Sequence, residues 1–370
     1  MEQIPILLLE YENYWLTANT LYCLMRNKGF DIHFISRNPR SPFRFSSRVK
    51  SHHYFPKEQS DEAFLNFAKK VVQKTKASVM VPINDTGFHF MINNKEALQP
   101  FVSVIPLPEP WAYQIAGDKG LLADFMQSHA IDGPPTITHL GDNLDAQLDR
   151  LSFPVLLKPR MGSGGRGAAG EPGITKFHNK EELLKFVAAH NIASKYIIQS
   201  YVEGPEIDCN VLYKEGQLVT YTIQKAMLAT QRYSPSLGIE FVDDKKVIEV
   251  VDSLLSKLRW NGVAHIDLIY DRHTQSLRIL EINPRFWLTV GGSMVRANVN
   301  FPALACLQAL DQPIEQRPVV LGRYIPVLSF LKYRVRTGNK TPFRWREIDV
   351  RYFFTNIVTR VCYFYNKRFK

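Results

Sequence analysis

Two neighbouring apolar runs constrain this chain more than any other feature: residues 262–270 (GVAHIDLIY) and 277–287 (LRILEINPRFW), separated by the polar stretch 271–276. Each has the length of a β-strand, and the polar break between them suits a hairpin. Alternate side chains of an extended strand share a face, so Glu281, Asn283 and Arg285 should point the same way. Asp267 on the partner strand would add a second carboxylate. Such a set is an oxygen-ligand metal site beside a fixed cation. Magnesium takes few protein oxygens and completes its shell with substrate phosphates, so the pattern implies a phosphate-bearing ligand. The plainer alternative is that Glu281 and Asn283 only terminate a strand through turn chemistry.

A place for the phosphates stands upstream. Residues 153–170 read FPVLLKPRMGSGGRGAAG, an apolar strand ending on Lys158 and then a loop dense in glycine that carries Arg160 and Arg166. Glycines let the backbone approach a ligand and present successive N–H groups, and a lysine at the strand end meets phosphate as a point charge. The lysine precedes the glycines, so this is not a Walker loop. A flexible connector would read the same way in isolation, Lys158 could be an ordinary exposed strand end, and Arg166 could be a solvated charge.

Together the hairpin and the loop resemble the ATP-grasp superfamily, the fold of carbamoyl-phosphate synthetase, biotin carboxylase and the D-alanine ligases, over most of the chain from the first strand to about Leu310. The resemblance implies an α/β and α+β architecture. Its expected parts are a Rossmann-like pre-ATP-grasp domain (1–117), a lid subdomain with the glycine-rich loop (118–195), a magnesium-binding lobe (196–320) and a basic, aromatic C-terminal extension (321–370). It further implies that Lys119, in the triplet Gly117-Asp118-Lys119, and Lys158 reach the nucleotide phosphates, with Gly162, Ser163, Gly164, Gly165 and Arg166 forming the flap above them. Residues 197–206 (IIQSYVEGPE) resemble the hinge strand, where Gln199, Ser200, Tyr201 and Val202 would face adenine and Glu206 would hold the ribose hydroxyls; a surface carboxylate is the plainer reading of Glu206. Gln199 and Ser200 stand where Glu-Lys is frequent, but hinge contacts are largely backbone, so ATP stays the expected nucleotide. Asp267, Glu281 and Asn283 match the ligands of magnesium (or manganese), and Arg285, with Lys158, matches the catalytic cations that steady the acyl-phosphate or the transferring phosphoryl group. His265 is no mark of the family, and a structural histidine is its preferred reading.

The chemistry that follows from the resemblance is activation of a carboxylate by ATP to an acyl-phosphate, then displacement of phosphate by an amine, releasing ADP. Positioning and charge neutralisation supply most of the catalysis in phosphoryl transfer, which accounts for cations and a metal in place of a covalent nucleophile. Neither a Gly-x-Ser-x-Gly elbow nor a His-Glu-x-x-His pair occurs. The alternatives are an ATP-dependent carboxylase, a carbamoyl-phosphate-type phosphotransferase, or a non-catalytic nucleotide-binding scaffold. Small-molecule acid and amine substrates are expected, and nucleic acid is not.

The first third alternates strands (4–9, 32–35, 79–83) with helices (17–27, 62–74), the signature of a parallel α/β sheet. The loop after the first strand lacks glycine, which removes a dinucleotide fingerprint. Asn84 and Asp85 follow a strand end, where open sheets collect ligands, and are candidate substrate contacts. The basic, proline-broken stretch 36–50 reads as a surface loop, and Lys225 and Arg232, in the punctuated stretch 225–240, are weaker substrate candidates. Cys23, Cys209, Cys306 and Cys362 lack metal spacing and suit a reducing compartment. The opening apolar run reads as a strand rather than a signal, so a cytoplasmic protein is expected.

The last segment is the most individual. Residues 323–370 hold twelve Lys or Arg against Glu347 and Asp349, carrying ten of the chain's formal +11. Interleaved are Trp345, Tyr352, Phe353, Phe354, Tyr363, Phe364 and Tyr365. Cations and rings together suit peripheral contact with an anionic membrane through 323–370. Packing on the protein's own core, or on a second subunit in a homodimer, is the favoured reading. Phosphate contacts and stacking could also bind nucleic acid, but no RNA or DNA motif supports this.

Overall fold

The computed structural model describes residues 3–11, 13–141, 143–162, 173–190, 194–228, 236–315, 317–338 and 343–368. The first layer is built from β1 (Ile4–Glu10), α1 (Tyr14–Met25), β2 (Phe30–Ser36), β3 (Ser51–Tyr54), α2 (Asp61–Thr75), β4 (Val79–Pro82), α3 (Asp85–Asn93), α4 (Lys95–Leu98) and β5 (Ser103–Val104). Its five strands are parallel in the order β3-β2-β1-β4-β5. The central strand β1 is an unbroken apolar run whose Ile6, Leu7, Leu8 and Leu9 have no exposed surface, as a parallel strand covered on both faces requires. Ser60 and Asn84 cap α2 and α3 by accepting backbone N–H groups of Ala63 and Gly87. The stretch 36–50 differs from a plain surface loop: Pro42–Phe45 is a 3-10 turn, and Phe43 is buried between the rings of Phe34 and Tyr14. Apolar content outweighed the basic and proline residues there.

A second sheet follows α5 (Pro110–Gly117) and α6 (Lys119–Ser128). It contains β6 (Thr136–Ile137), β7 (Val155–Pro159), β8 (Thr175–Phe177) and β9 (Tyr196–Ser200), with α7 (Leu144–Leu148) and α8 (Lys180–Ala189). The antiparallel order is β6-β9-β7-β8, and the sheet has its own apolar cluster of Ile137, Leu148, Val155, Leu157, Leu183, Tyr196 and neighbours.

The third sheet is the largest. It comprises β10 (Glu206–Lys214), β11 (Gln217–Leu228), β12 (Gly238–Val242), β13 (Gly262–Tyr270), β14 (Leu277–Asn283), β15 (Gly322–Pro326) and β16 (Ile348–Asp349), in the order β14-β13-β10-β11-β12-β15-β16. One face is apolar. There Ile207, Cys209, Val211, Ile223, Ile266, Leu268 and Ile282 pack on α5, α6 and the buried stripe Val247, Val251, Leu254 and Leu255 of α9 (Lys245–Lys257). Each of those aliphatic side chains contributes roughly 1.5–3 kcal/mol by leaving water. The opposite face is polar, and its upper part is covered by the first layer through α10 (Val290–Val295) and α11 (Phe301–Ala309). Strand β13 starts on Gly262 (φ +94°), where a Cβ would lie 2.1 Å from the Pro106 carbonyl oxygen, so only glycine lets the linker cross so close.

The last segment is woven into this body. After α12 (Val327–Thr337), β16 runs parallel to β15 at the sheet edge, and α13 (Arg351–Thr355) and α14 (Ile357–Arg368) return to the first layer. Asp349, 6% exposed, accepts hydrogen bonds from the Tyr324 hydroxyl (3.2 Å), the Tyr22 hydroxyl (3.4 Å) and the Tyr352 N–H (3.1 Å). It thereby joins the sheet edge to α1. Asp349→Ala should cost about 2–4 kcal/mol, because two tyrosine hydroxyls lose their buried acceptor. Asp349→Asn, which keeps one acceptor oxygen, should cost less, and urea unfolding of both variants measures the difference.

Candidate functional site

The register of the third sheet gathers its polar side chains. Asp208 of β10 lies opposite Asp267 of β13, Asp267 opposite Glu281 of β14, and His265 opposite both Asn210 and Asn283. Thr222 and Gln224 of β11 continue the row opposite Asn210 and Asp208. Because partners across strands share a face, eight polar groups look out from one side while the aliphatic alternates fill the other. The predicted hairpin and its shared face are therefore present, and the alternation of 281 and 283 with 282 is what separates site from core.

Asn283 bridges the carboxylates: its Nδ2 lies 3.3 Å from Asp267 Oδ2 and 3.3 Å from Glu281 Oε1. Burial, and then the charge of Glu281 beside it, push the Asp267 carboxyl well above the usual range. Burial opposes ionisation of Glu281 too, yet the ammonium groups of Lys119 and Lys158 hold its pKa down to about 2. Two neighbouring carboxylates removed from water cannot both ionise cheaply, and a cation between them relieves the conflict. Two carboxylates are hard donors that suit magnesium, and the Asn283 amide oxygen, which here accepts from Arg285, would join them once the amide turned over. The donor set fits that ion.

Two lysines approach from other elements. Lys119 begins α6, and its Nζ lies 3.1 Å from Glu281 Oε2 and donates to the Gly162 carbonyl at 2.8 Å. Asp118 caps that helix through the N–H groups of Gly120 and Leu121 and also pairs with Arg160, whose Nη1 donates to Thr138 O at 2.7 Å. A Cβ on Gly120 would sit 2.5 Å from the Arg160 guanidinium, so a larger residue there would displace that side chain. Lys158, 7% exposed on β7, donates to Gln199 Oε1 at 2.9 Å, and burial pushes its ammonium pKa down against the pull of Glu281. Glutamine at 199 thus gives the buried lysine a neutral acceptor, and its Nε2 donates to Thr136 at 3.0 Å. Ser200 and Tyr201 give their N–H groups to the carbonyls of Pro135 and Pro154, the Tyr201 ring carries Lys176 Nζ at 3.6 Å, Val202 follows β9, and Glu206 opens β10 in an exposed position.

Arg285 is held from three sides. Its Nε donates to Asp85 at 3.0 Å, its Nη2 to Asn283 Oδ1 at 3.0 Å and its Nη1 to the Phe286 carbonyl at 2.9 Å. Asp85 opens α3 of the first layer, and Asn84 caps that helix, so the strand end picked out in the sequence does meet the site. Lys225 does not: it lies on β11 opposite Glu240, on the face shared with Ile223. Ser163, Gly164, Gly165, Arg166 and Arg232 lie outside the described residues.

Sequence reasoning gave no role to Asp208, Asp118 or Arg160. The alternation of Glu206 and Asp208 in β10 was the available signal for the first. Among the described residues, Asp208, His265 and Asp267 form a set of acidic and histidine side chains whose donor atoms lie within 4.8 Å of one another. His265 Nε2 lies 2.9 Å from Asp267 and its Nδ1 2.7 Å from Asn210 Oδ1, while the ring stacks on Trp287 at 5.9 Å.

Residues 116–289 match the ATP-grasp domain family. That stretch of the chain is an ATP-grasp domain. The chain is similar to a D-alanine–D-alanine ligase of Prochlorococcus marinus, 28% identical over 152 residues, covering 36% of this chain and 40% of that protein. It is also similar to D-alanine–D-alanine ligase A of Bacillus cereus, 32% identical over 102 residues, covering 26% and 32%. The chain thus spans well under half the length of these curated relatives. Among solved structures, the biotin carboxylase domain of Hydrogenobacter thermophilus 2-oxoglutarate carboxylase, in complex with MgADP, ADP and bicarbonate, aligns with a TM-score of 0.66 at 15% identity, over 87% of this chain and 74% of that one. An L-amino acid ligase from Bacillus licheniformis aligns with a TM-score of 0.65 at 16% identity, over 86% and 78%. These likenesses establish the ATP-grasp fold.

The carboxylate row makes stability depend on pH. Burial raises the Asp208 carboxyl from 3.8 to about 6. A carboxyl with a raised folded-state pKa favours the folded state while protonated, and that advantage disappears as pH rises from 3.8 through about 6. With divalent cations chelated, Asp208→Asn should be more stable than the parent above pH 6 by on the order of 2 kcal/mol and gain little below pH 4, as thermal melts across that range will show.

Proposed function

We propose that this protein is an ADP-forming ligase that activates a small carboxylate with ATP and joins it to an amine. The observation that carries the reading is the meeting of Lys119, Lys158 and Arg285 with Asp267, Glu281 and Asn283, drawn from three separate parts of the fold. The sequence relatives named as D-alanine–D-alanine ligases support a ligase over a carboxylase.

Asp267, Glu281 and Asn283 would hold magnesium or manganese, which when bound neutralises phosphate charge and aligns the triphosphate. Lys119 and Lys158 supply fixed cations toward the phosphates, and Gln199 and Gly162 fix where their ammonium groups sit. Tyr201 and Val202 line the adenine side, and Glu206, exposed at the start of β10, meets the ribose hydroxyls. Arg285 lies against Asp85, a carboxylate, and can bind an incoming carboxylate in the same way. In the reaction a carboxylate oxygen of the acid bonds to the γ-phosphorus as the bond to the β-γ bridging oxygen breaks, leaving ADP. The amine then bonds to the acyl carbon, phosphate departs, and the amine proton passes to solvent. Charge on the transferring phosphoryl group is met by cations already in place, so little reorganisation is required.

The test is ADP release from magnesium-ATP with pooled acids and amines, with mass spectrometry of the product. Glu281→Gln removes the carboxylate that pairs with Lys119 and should lower turnover by about 100-fold or more while the far-UV spectrum stays unchanged. Lys158→Met should lower turnover similarly. Full activity in either variant overturns the assignment.

A further inference from the structure

Helix α14 is built the wrong way round for a helix that serves only to pack. The side turned to the protein is polar apart from Tyr363, which stacks on Tyr14 at 4.2 Å: Thr359 and Arg360 are 2% and 6% exposed, the Thr359 hydroxyl lies 3.3 Å from the Tyr14 hydroxyl, and the Arg360 guanidinium sits 5.3–5.6 Å over the rings of Trp15, Tyr352 and Phe353. The side turned to water is apolar, with Ile357, Val358, Val361 and Phe364 at 38%, 52%, 64% and 52% exposure. At about 100° per residue these four fall within an arc of roughly 120°. Trp15 and Phe45 extend the patch from the first layer: the Trp15 ring lies 6.4 Å from that of Phe364, and the segment of Phe45 is tied to α14 by Asn366 donating to the Arg40 carbonyl at 2.8 Å. Contiguous exposed apolar surface of this kind marks a place where something docks.

Charge identifies the partner. The two segments that make the patch, 36–50 and 350–370, carry five Lys or Arg each and no Asp or Glu. A second copy placed symmetrically on the patch would bring like charges together. Arg37 and Lys50 pair with Asp61 and Asp31 and Arg360 is buried, which leaves Arg40, Arg44, Arg48, Arg351, Lys367 and Arg368 as the exposed cations of these segments; an apolar centre flanked by them matches lipid tails beneath anionic headgroups. Among the described residues no helix is long and apolar enough to cross a membrane, so α14 would lie on the surface rather than span it. We propose that the outward face of α14, with Trp15 and Phe45, seats the protein on an anionic lipid bilayer.

The full chain should sediment with vesicles containing phosphatidylserine, weakly or not at all with phosphatidylcholine alone, and less as salt is raised. The double variant V361E/F364E, altered only at exposed positions, should bind phosphatidylserine vesicles about tenfold or more weaker with its far-UV spectrum and nucleotide affinity unchanged. Absence of vesicle binding by the parent chain overturns the proposal, as does equal binding by the variant. Two further results overturn it: a dimer in light scattering that the substitutions abolish, which assigns the face to a second copy, and retention on polyglutamate without vesicle binding, which assigns it to an acidic polypeptide. None of these readouts depends on turnover.

Discussion

A sheet face that carries Asp208, Asp267 and Glu281 side by side cannot be covered by protein unless positive charge is brought to it, and much of this molecule is arranged to do so. Lys119 comes from a helix start, Lys158 from the end of a strand in another sheet, and Arg285 from the turn that ends the acidic strand itself. The depressed Glu281 and the raised Asp267 are two sides of one condition: the protein alone neutralises one carboxylate fully and its neighbour incompletely. A metal ion arriving with a polyanion would settle that imbalance, which supports the proposed phosphate-bearing ligand over a neutral one.

The supports behind these groups are as specific as the groups. Asp118 both caps α6 and fixes Arg160, so the backbone of Lys119 is held from two directions. Lys119 N–H also bonds to the Arg160 carbonyl at 3.0 Å, linking the helix to the strand that ends in Lys158. Gln199 gives Lys158 an acceptor without adding another negative charge to an already acidic centre. At the far edge, Asp349 collects two tyrosine hydroxyls and so binds the end of the third sheet to the first layer.

Much of the site was legible because it lies on strands, where a period of two separates Glu281 and Asn283 from Ile282 without knowledge of the partner. Lys119 and Lys158 were legible through order along the chain. Asp208 escaped because a single carboxylate beside Glu206 gains meaning only when β10 is set against β13, a pairing between segments some 60 residues apart. Phe43 escaped because its neighbours are arginine, proline and serine, and its burial depends on Phe34 and Tyr14 lying above and below it. The last segment read as an extension by charge, but strand pairing of β15 and β16 brings part of it into the main sheet. Local composition carries no information about such edge additions.

The four-stranded sheet of β6 to β9 keeps its apolar side chains to itself: its cluster runs from Ile137 to Ile198 and shares no buried member with the other two large clusters. Tilting it away from the acidic face would therefore leave that cluster intact. What resists such a swing is a short set of polar ties, chiefly Lys119 to Gly162 and Arg160 to Asp118, each replaceable by water at small cost. The sheet that sets the carboxylates and the sheet whose Lys158 strand overhangs them thus keep separate apolar cores, a division between anvil and jaw that follows from where the oil is stored.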